Sequence, residues 1–167
     1  AGLPPVEGFD KKPRVATIKL TTGTVTVALA GDKAPCTVAS FEHLASKKFF
    51  DGSKCHRLTT GGIFVLQCGD PTGTGGGGPG YKLKQEFNDT KHVRGVLSMA
   101  RTNDPDSAGS QFFVMHAAAP FLDNQYTVFG KLTKGDEVID KIVNAPRNAQ
   151  DRPNEPTKIK TIKIEEK

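Results

Sequence analysis

The sequence predicts a mainly β chain: an antiparallel sheet closed into a barrel, with an α-helix over each mouth. Three observations carry this expectation. Short segments alternate apolar and polar residues along most of the chain. Only two segments carry a helical repeat, and they are far apart. Strands and helices do not alternate regularly, which excludes a doubly wound parallel sheet. Closure removes exposed sheet edges and gives both helices an apolar surface to cover.

The elements follow in order. Residues 1–13, "AGLPPVEGFDKKP", hold three prolines and no periodicity, and read as a flexible N-terminal tail ahead of one domain at 14–167. "VATIKL" (15–20) and "TVTVAL" (24–29) alternate around "TTG", a strand–turn–strand pattern with Val25, Val27 and Leu29 on one face. Pro35 suits a first helical turn, and Val38, Phe41, Leu44 and Ala45 recur at helical spacing, so a helix is expected at about 35–47. Strands are expected at about 54–59 and 63–68. "GDPTGTGGGGPGY" forms a loop in which Asp70, before Pro71, organises a turn. "RGVLSMA" (94–100), "SQFFVMH" (110–116) and "QYTVFGKL" (125–132) read as strands. "GDEVIDKIVN" (135–144) is a second helix, and "IKTIKIEE" closes the chain as a strand.

The bulk numbers narrow the function. A chain of 167 residues with 36% hydrophobic and 25% charged residues has the composition of one soluble globular domain. No apolar run approaches the roughly 20 residues that cross a bilayer, so no membrane span is expected. No signal peptide is visible, and the compartment stays open between cytoplasm and export. The net charge of +5 is scattered rather than gathered into a stripe with exposed aromatics, so no nucleic-acid partner is expected. Three cysteines, Cys36, Cys55 and Cys68, show no CxxC spacing; one disulfide plus a free thiol is an option in an oxidising compartment. No metal site or cofactor is expected. Cys55 and His56 are adjacent, and adjacent strand residues point to opposite faces. Gly73-x-Gly75-x-x-Gly78 mimics a dinucleotide fingerprint, but Pro79-Gly80 follows where a helix must start. Ser110 lacks the Gly-x-Ser-x-Gly elbow of a hydrolase.

What remains is "KCHRLTTGGIFVLQCGD" (54–70), an apolar run with one arginine and one glutamine, and "GSQFFVM" (109–115). Phe112 and Phe113 face opposite sides of a strand. Arg57, Gln67 and Gln111 beside aromatic rings make a peptide groove: polar groups for backbone amides, rings for an apolar side chain.

"HR", an apolar segment ending "Q-x-G-D-P-T-G-T-G", then "GGPGY", "LSMA", "GSQFF" and "YTVFGK" together resemble the cyclophilins, the peptidyl-prolyl cis–trans isomerases. The resemblance runs from about Val15 to Ile164, and "MART-x-D-x-x-SAGSQFF" is similar to bacterial members. It implies a closed eight-stranded antiparallel barrel capped by two helices, with the substrate on its outside. It also implies isomerisation of X–Pro bonds in peptides and in unfolded or folding proteins, without a cofactor, by a monomer. Carried over by position, Arg57 matches the catalytic arginine and Gln67 the residue that orients it. Phe64, Val65, Phe113 and Leu122 match the proline pocket. Gln111 matches a peptide contact, and Ala100, Arg101 and Thr102 lie along the groove. Tyr126 stands where many relatives have histidine, and Arg101 where many have asparagine. Cys55 replaces a phenylalanine, and the segment Leu58–Ile63 is longer than usual. Phe121 replaces a tryptophan at the pocket rim, which implies weak binding of cyclosporin-type macrocycles.

Overall fold

The computed structural model describes residues 14–55, 57–58, 65–72, 78–88, 90–102, 104, 106–123, 125–143 and 158–166, apart from the side chains of Phe121 and Glu166. The expected tail (1–13), His56, Phe64 and the glycines at 73–77 lie outside the described residues.

The strands are β1 (Arg14–Leu20), β2 (Gly23–Leu29), β3 (Arg57–Leu58), β4 (Val65–Cys68), β5 (Val96–Met99), β6 (Phe112–Met115), β7 (Val128–Lys134) and β8 (Ile159–Glu166); the helices are α1 (Pro35–Ser46) and α2 (Asp136–Val143). Among the described residues one sheet holds the eight strands in the order β3-β4-β6-β5-β7-β2-β1-β8, with antiparallel neighbours throughout. The expected closure is looser than a continuous barrel. The edge strands β3 and β8 form no ladder with each other. The segment before β3 closes the seam against the start of β8 instead: Lys54 bridges Lys158, Gly52 donates to the Ile159 carbonyl, and Ile159 donates to the Ser53 carbonyl. A barrel needs a ladder at every strand; this sheet curls until its ends meet at one short segment.

Alternation sorts the apolar residues into two layers. Inward residues, among them Val27, Leu66, Cys68, Leu97, Phe112 and Phe129, form the main core with α1. Phe41 of α1 enters this core with its ring 5.3 Å from Phe129 and 5.5 Å from Phe112. The next residues on the same strands, Val65, Val96, Phe113, Met115 and Val128, belong to a second cluster. Ala119 and Leu122, flanking and within the 3₁₀ turn Pro120–Leu122, cover that cluster.

Distant groups complete several local structures. Ala34 gives α1 no side-chain cap. Glu86 does so: its carboxylate accepts from the backbone amides of Cys36 (3.1 Å) and Thr37 (2.7 Å) and from the Thr37 hydroxyl (2.8 Å). An acid there satisfies orphan amides and faces the positive end of the helix. Glu86→Ala should therefore cost about 1 kcal/mol, the usual loss for a helix cap, read as a lower midpoint of thermal unfolding. Asp70 accepts from the Thr72 amide and hydroxyl, the expected turn. Cys55 and Cys68 form a buried disulfide, leaving Cys36 as the free, exposed thiol. Closing a loop of that size contributes about 3 kcal/mol by restricting the unfolded chain. Gly69 sits at a φ of +98°, and a Cβ there would fall on the Ser110 carbonyl oxygen. That close approach seats the start of β6 against the end of β4.

Among the described residues, no helix is long and apolar enough to cross a membrane.

Candidate functional site

Strand register builds the site. Arg57 lies opposite Gln67, Gln67 opposite Phe113, Phe113 opposite Ser98, and Ser98 opposite Val128. Directly opposed residues share one face of a sheet. The cation, the amide and the ring therefore stand in one row, on the face away from the main core. Adjacent strands are about 4.8 Å apart, so Arg57 and Phe113 are separated by roughly 10 Å of sheet. A dipeptide unit spans roughly 7 Å, and the length of an arginine side chain covers the remainder, so one X–Pro unit can reach both.

The side chains in the row differ in freedom. Arg57 is exposed, and its guanidinium makes no hydrogen bond or ion pair with another described residue. Gln67 is half-buried and donates through Nε2 to Gln111 Oε1 at 2.8 Å. The Nε2 end of the Gln67 amide is thus engaged with Gln111. Phe113 is buried, with its ring edge-on to Tyr126 at 5.7 Å. Val65 and Leu122 are buried in the same cluster, and Ala100 and Tyr126 pack against it half-exposed. The placement of Phe64 lies outside the described residues, and of Phe121 only the backbone position in the 3₁₀ turn is described.

Next to this row runs a groove of about 560 Å³. Gln67, Gln111, Ala100, Arg101 and Thr102 form one side, and the segment around Tyr81 forms the other. Arg101 is held in place. Its guanidinium donates to the carbonyls of Gln125 (3.0 and 2.8 Å) and Thr102 (2.8 Å) and lies over the Tyr126 ring at 4.6 Å. Arg101 therefore braces the groove wall and offers its backbone rather than a free cation. The Thr102 amide is satisfied by Ser107 Oγ at 2.9 Å.

Sequence reasoning missed a polar network beneath the row. His92, 1% exposed, stacks against Phe113 at 6.2 Å and meets Tyr126 edge-on at 6.3 Å. Its Nδ1 is 3.2 Å from Asp123 Oδ1, and its backbone amide donates to the same oxygen at 2.7 Å. Its Nε2 is 3.1 Å from Ser98 Oγ, which is 3.1 Å from the Thr127 carbonyl. The ionised carboxylate only accepts, so Nδ1 carries the proton of a neutral ring. The Ser98 hydroxyl then has one proton for two acceptors, Nε2 and the Thr127 carbonyl. The residue types are those of a hydrolase triad, but Ser98 is fully buried and no substrate carbonyl can reach it. The network ties Asp123, next to Leu122, to the strand opposite Phe113. Nothing local marks it: Asp123 lies 31 residues from His92, and no motif links His92 to Ser98, six residues on.

Burial holds the His92 imidazole below its usual range, against the opposing pull of Asp123. The His92 amide, foremost, holds the Asp123 carboxyl below its own, with further help from the ring and from Lys91. The two signs act in different windows. An unfolded histidine takes a proton near pH 6.5 while the folded ring does not, so stability falls as pH drops through that value. Asp123 contributes stability above the ordinary aspartate range and loses it as pH falls below. Thermal unfolding from pH 7 to 5 should show falling stability, with a shallower slope in His92→Asn. Equal slopes would sink the assignment.

Comparison with known proteins identifies this architecture. The family described as cyclophilin type peptidyl-prolyl cis-trans isomerase/CLD matches residues 15–164. A probable peptidyl-prolyl cis-trans isomerase A of Mycobacterium leprae is 38% identical, covering 89% of this chain and 91% of that one. A peptidyl-prolyl cis-trans isomerase of Synechococcus elongatus is 43% identical over 80% of this chain and 88% of its own. The crystal structure of a Cryptosporidium parvum cyclophilin type peptidyl-prolyl cis-trans isomerase superposes with a TM-score of 0.87 at 31% identity, covering 92% of this chain and 98% of that one. The same protein has been crystallised in the presence of the dipeptide Ala-Pro, and that structure superposes with a TM-score of 0.86. With the family match spanning residues 15–164 and the fold superposing with a TM-score of 0.87, the chain belongs to the cyclophilin-type peptidyl-prolyl cis–trans isomerases.

Proposed function

We propose that this isomerase turns X–Pro bonds by meeting the prolyl nitrogen with Arg57 while the pocket around Phe113 grips the ring. The row Arg57–Gln67–Phe113 on one face is the observation that carries the reading.

The chemistry asks for few groups. Rotation breaks no covalent bond and transfers no proton; its barrier of about 18–20 kcal/mol is lost amide resonance. Uncatalysed exchange takes tens to hundreds of seconds, roughly. A thousand- to ten-thousand-fold acceleration needs about 4–5.5 kcal/mol of selective stabilisation. In the twisted state the prolyl nitrogen regains a lone pair and accepts a hydrogen bond that the planar amide refuses. A guanidinium is a permanent donor, so no base is required. A charge-assisted bond supplies about 1.5–3 kcal/mol, and the apolar pocket supplies the rest by excluding water and holding the ring while the other side turns.

Val65, Phe113 and Leu122 form the pocket, with Tyr126 at its rim; Phe64 and Phe121 are assigned to the same site by family resemblance alone. Gln111 and the backbone of Ala100–Thr102 bind the peptide. Gln67 is a positioning residue that acts by fixing Gln111, with its own carbonyl left to face Arg57. Proline-containing peptides and unfolded or folding proteins are the substrates, and Phe121 in place of tryptophan weakens cyclosporin-type macrocycles. The buried disulfide suits an oxidising compartment.

Exchange NMR on an Ala–Pro peptide tests this. Catalysed cis–trans exchange is expected. Saturable binding without faster exchange would instead make the chain a proline-peptide binding module, and tight, steeply salt-dependent RNA or DNA binding would make it a nucleic-acid protein.

A further inference from the structure

We propose that the Cys55–Cys68 disulfide is a positioning device for Arg57, pinning the edge strand that presents the guanidinium so that opening the bond lowers turnover through Arg57. The inference rests on the reading of Arg57 given above.

The strand that carries Arg57 lies at the edge of the sheet. Among the described residues β3 stands first in the sheet order and has β4 as its ladder partner, through the pairs Arg57↔Gln67 and Leu58↔Leu66. The Arg57 side chain gains no fixing contact from another described residue, and the Gln67 amide is engaged with Gln111. Cys68 is different: β4 lies between β3 and β6, and Cys68 pairs with Phe112 of the core. The disulfide runs from this fixed strand to Cys55, two residues before Arg57, with both sulfur-bearing residues buried. It closes a ring that contains both Arg57 and Gln67, beside the rung where they face each other. Lys54, the residue before Cys55, bridges Asp70 and Lys158 at the seam. The crosslink thus joins the seam to the site and leaves the edge strand little room to slide or lift. A cation that must meet a nitrogen in a short-lived geometry loses rate when it is displaced by even a fraction of a strand spacing.

Opening the bond takes two electrons and two protons. A dithiol supplies them and becomes a disulfide, the Sγ–Sγ bond breaks, and Cys55 and Cys68 become thiols. Activity then follows the redox state of the surroundings.

The test is a cycle in a Cys36→Ser background, which removes the exposed thiol. The rate constant for turnover of saturating Ala–Pro peptide, and the peptide Kd, are measured by exchange NMR. The forms compared are the oxidised protein, the protein reduced with dithiothreitol and the Cys55→Ala/Cys68→Ala variant, each with Arg57 and with Arg57→Ala. Opening the bond should lower turnover at least fivefold with Arg57 present, change Kd less than twofold, and cost nothing further in Arg57→Ala. Unchanged turnover in the reduced protein would overturn the inference while leaving the role of Arg57 intact. An equal fall in both backgrounds would also overturn it, since the bond would then act on the fold at large. Full activity of Arg57→Ala with the bond closed would overturn the role of Arg57 and the inference with it. The reduced protein keeps every heavy atom of both side chains and so opens no cavity, and it decides the matter even where the alanine pair does not fold.

Discussion

Arg57→Ala lowers kcat/KM for X–Pro isomerisation by about 10- to 150-fold, the equivalent of losing one charge-assisted hydrogen bond of 1.5–3 kcal/mol. The same substitution leaves the thermal midpoint nearly unchanged. Arg57 is exposed, and its guanidinium makes no hydrogen bond or ion pair with another described residue, so its removal opens no cavity and orphans no partner. A protease-coupled assay and a melting curve on the same sample measure both halves of the expectation. A parallel loss of stability and activity would mean that Arg57 supports the fold. Arg57→Lys should recover only part of the rate, because a point charge on a flexible stem lacks the rigid donor plane of the guanidinium.

Phe113→Ala produces the second large effect, and it strikes stability and function together. The ring is 5% exposed and packs against His92 and Tyr126. Truncating a buried phenylalanine costs about 3–5 kcal/mol, a drop of roughly 6–20 °C in the thermal midpoint for a chain of this size. The pocket also loses its floor, so KM rises and kcat/KM falls by at least about tenfold, in line with one apolar ring's worth of burial. Phe113→Leu separates the two effects: it restores much of the volume and stability but not the flat surface under a proline ring. Kinetics unchanged in Phe113→Ala would refute its place in the pocket.

The two layers of the sheet were legible because alternation is a local property. Phe112 and Phe113 had to face opposite sides, and they belong to the inner and outer clusters respectively. Pro35 marked the start of α1, but the cap that completes it comes from Glu86, which no helix-start rule connects to residue 35. Arg57 and Gln67 were grouped with the aromatic rings from the residues alone, and resemblance to a family supplied their separate roles. Their alignment in one row is a matter of register, which depends on long-range pairing that a sequence does not display. Register also explains the cysteines: neither spacing nor count distinguished the pairs, and the antiparallel pairing of β3 with β4 brings Cys55 to Cys68. The buried His92 network stayed hidden for the same reason, because Asp123 and Ser98 approach His92 only through tertiary packing. The barrel class was legible but the nature of its seam was not, since strand count says nothing of how the sheet's two edge strands, β3 and β8, meet.

The most direct test is the rate of cis–trans interconversion of an Ala–Pro peptide held on the enzyme, compared between the wild type and Arg57→Ala by exchange NMR at saturating protein. A hydrogen bond formed only when the nitrogen is pyramidal slows that bound-state interconversion at least tenfold and leaves the peptide Kd almost unchanged. A weaker Kd with an unaltered bound-state rate would show that Arg57 holds the planar substrate, and the account of its catalysis would be wrong.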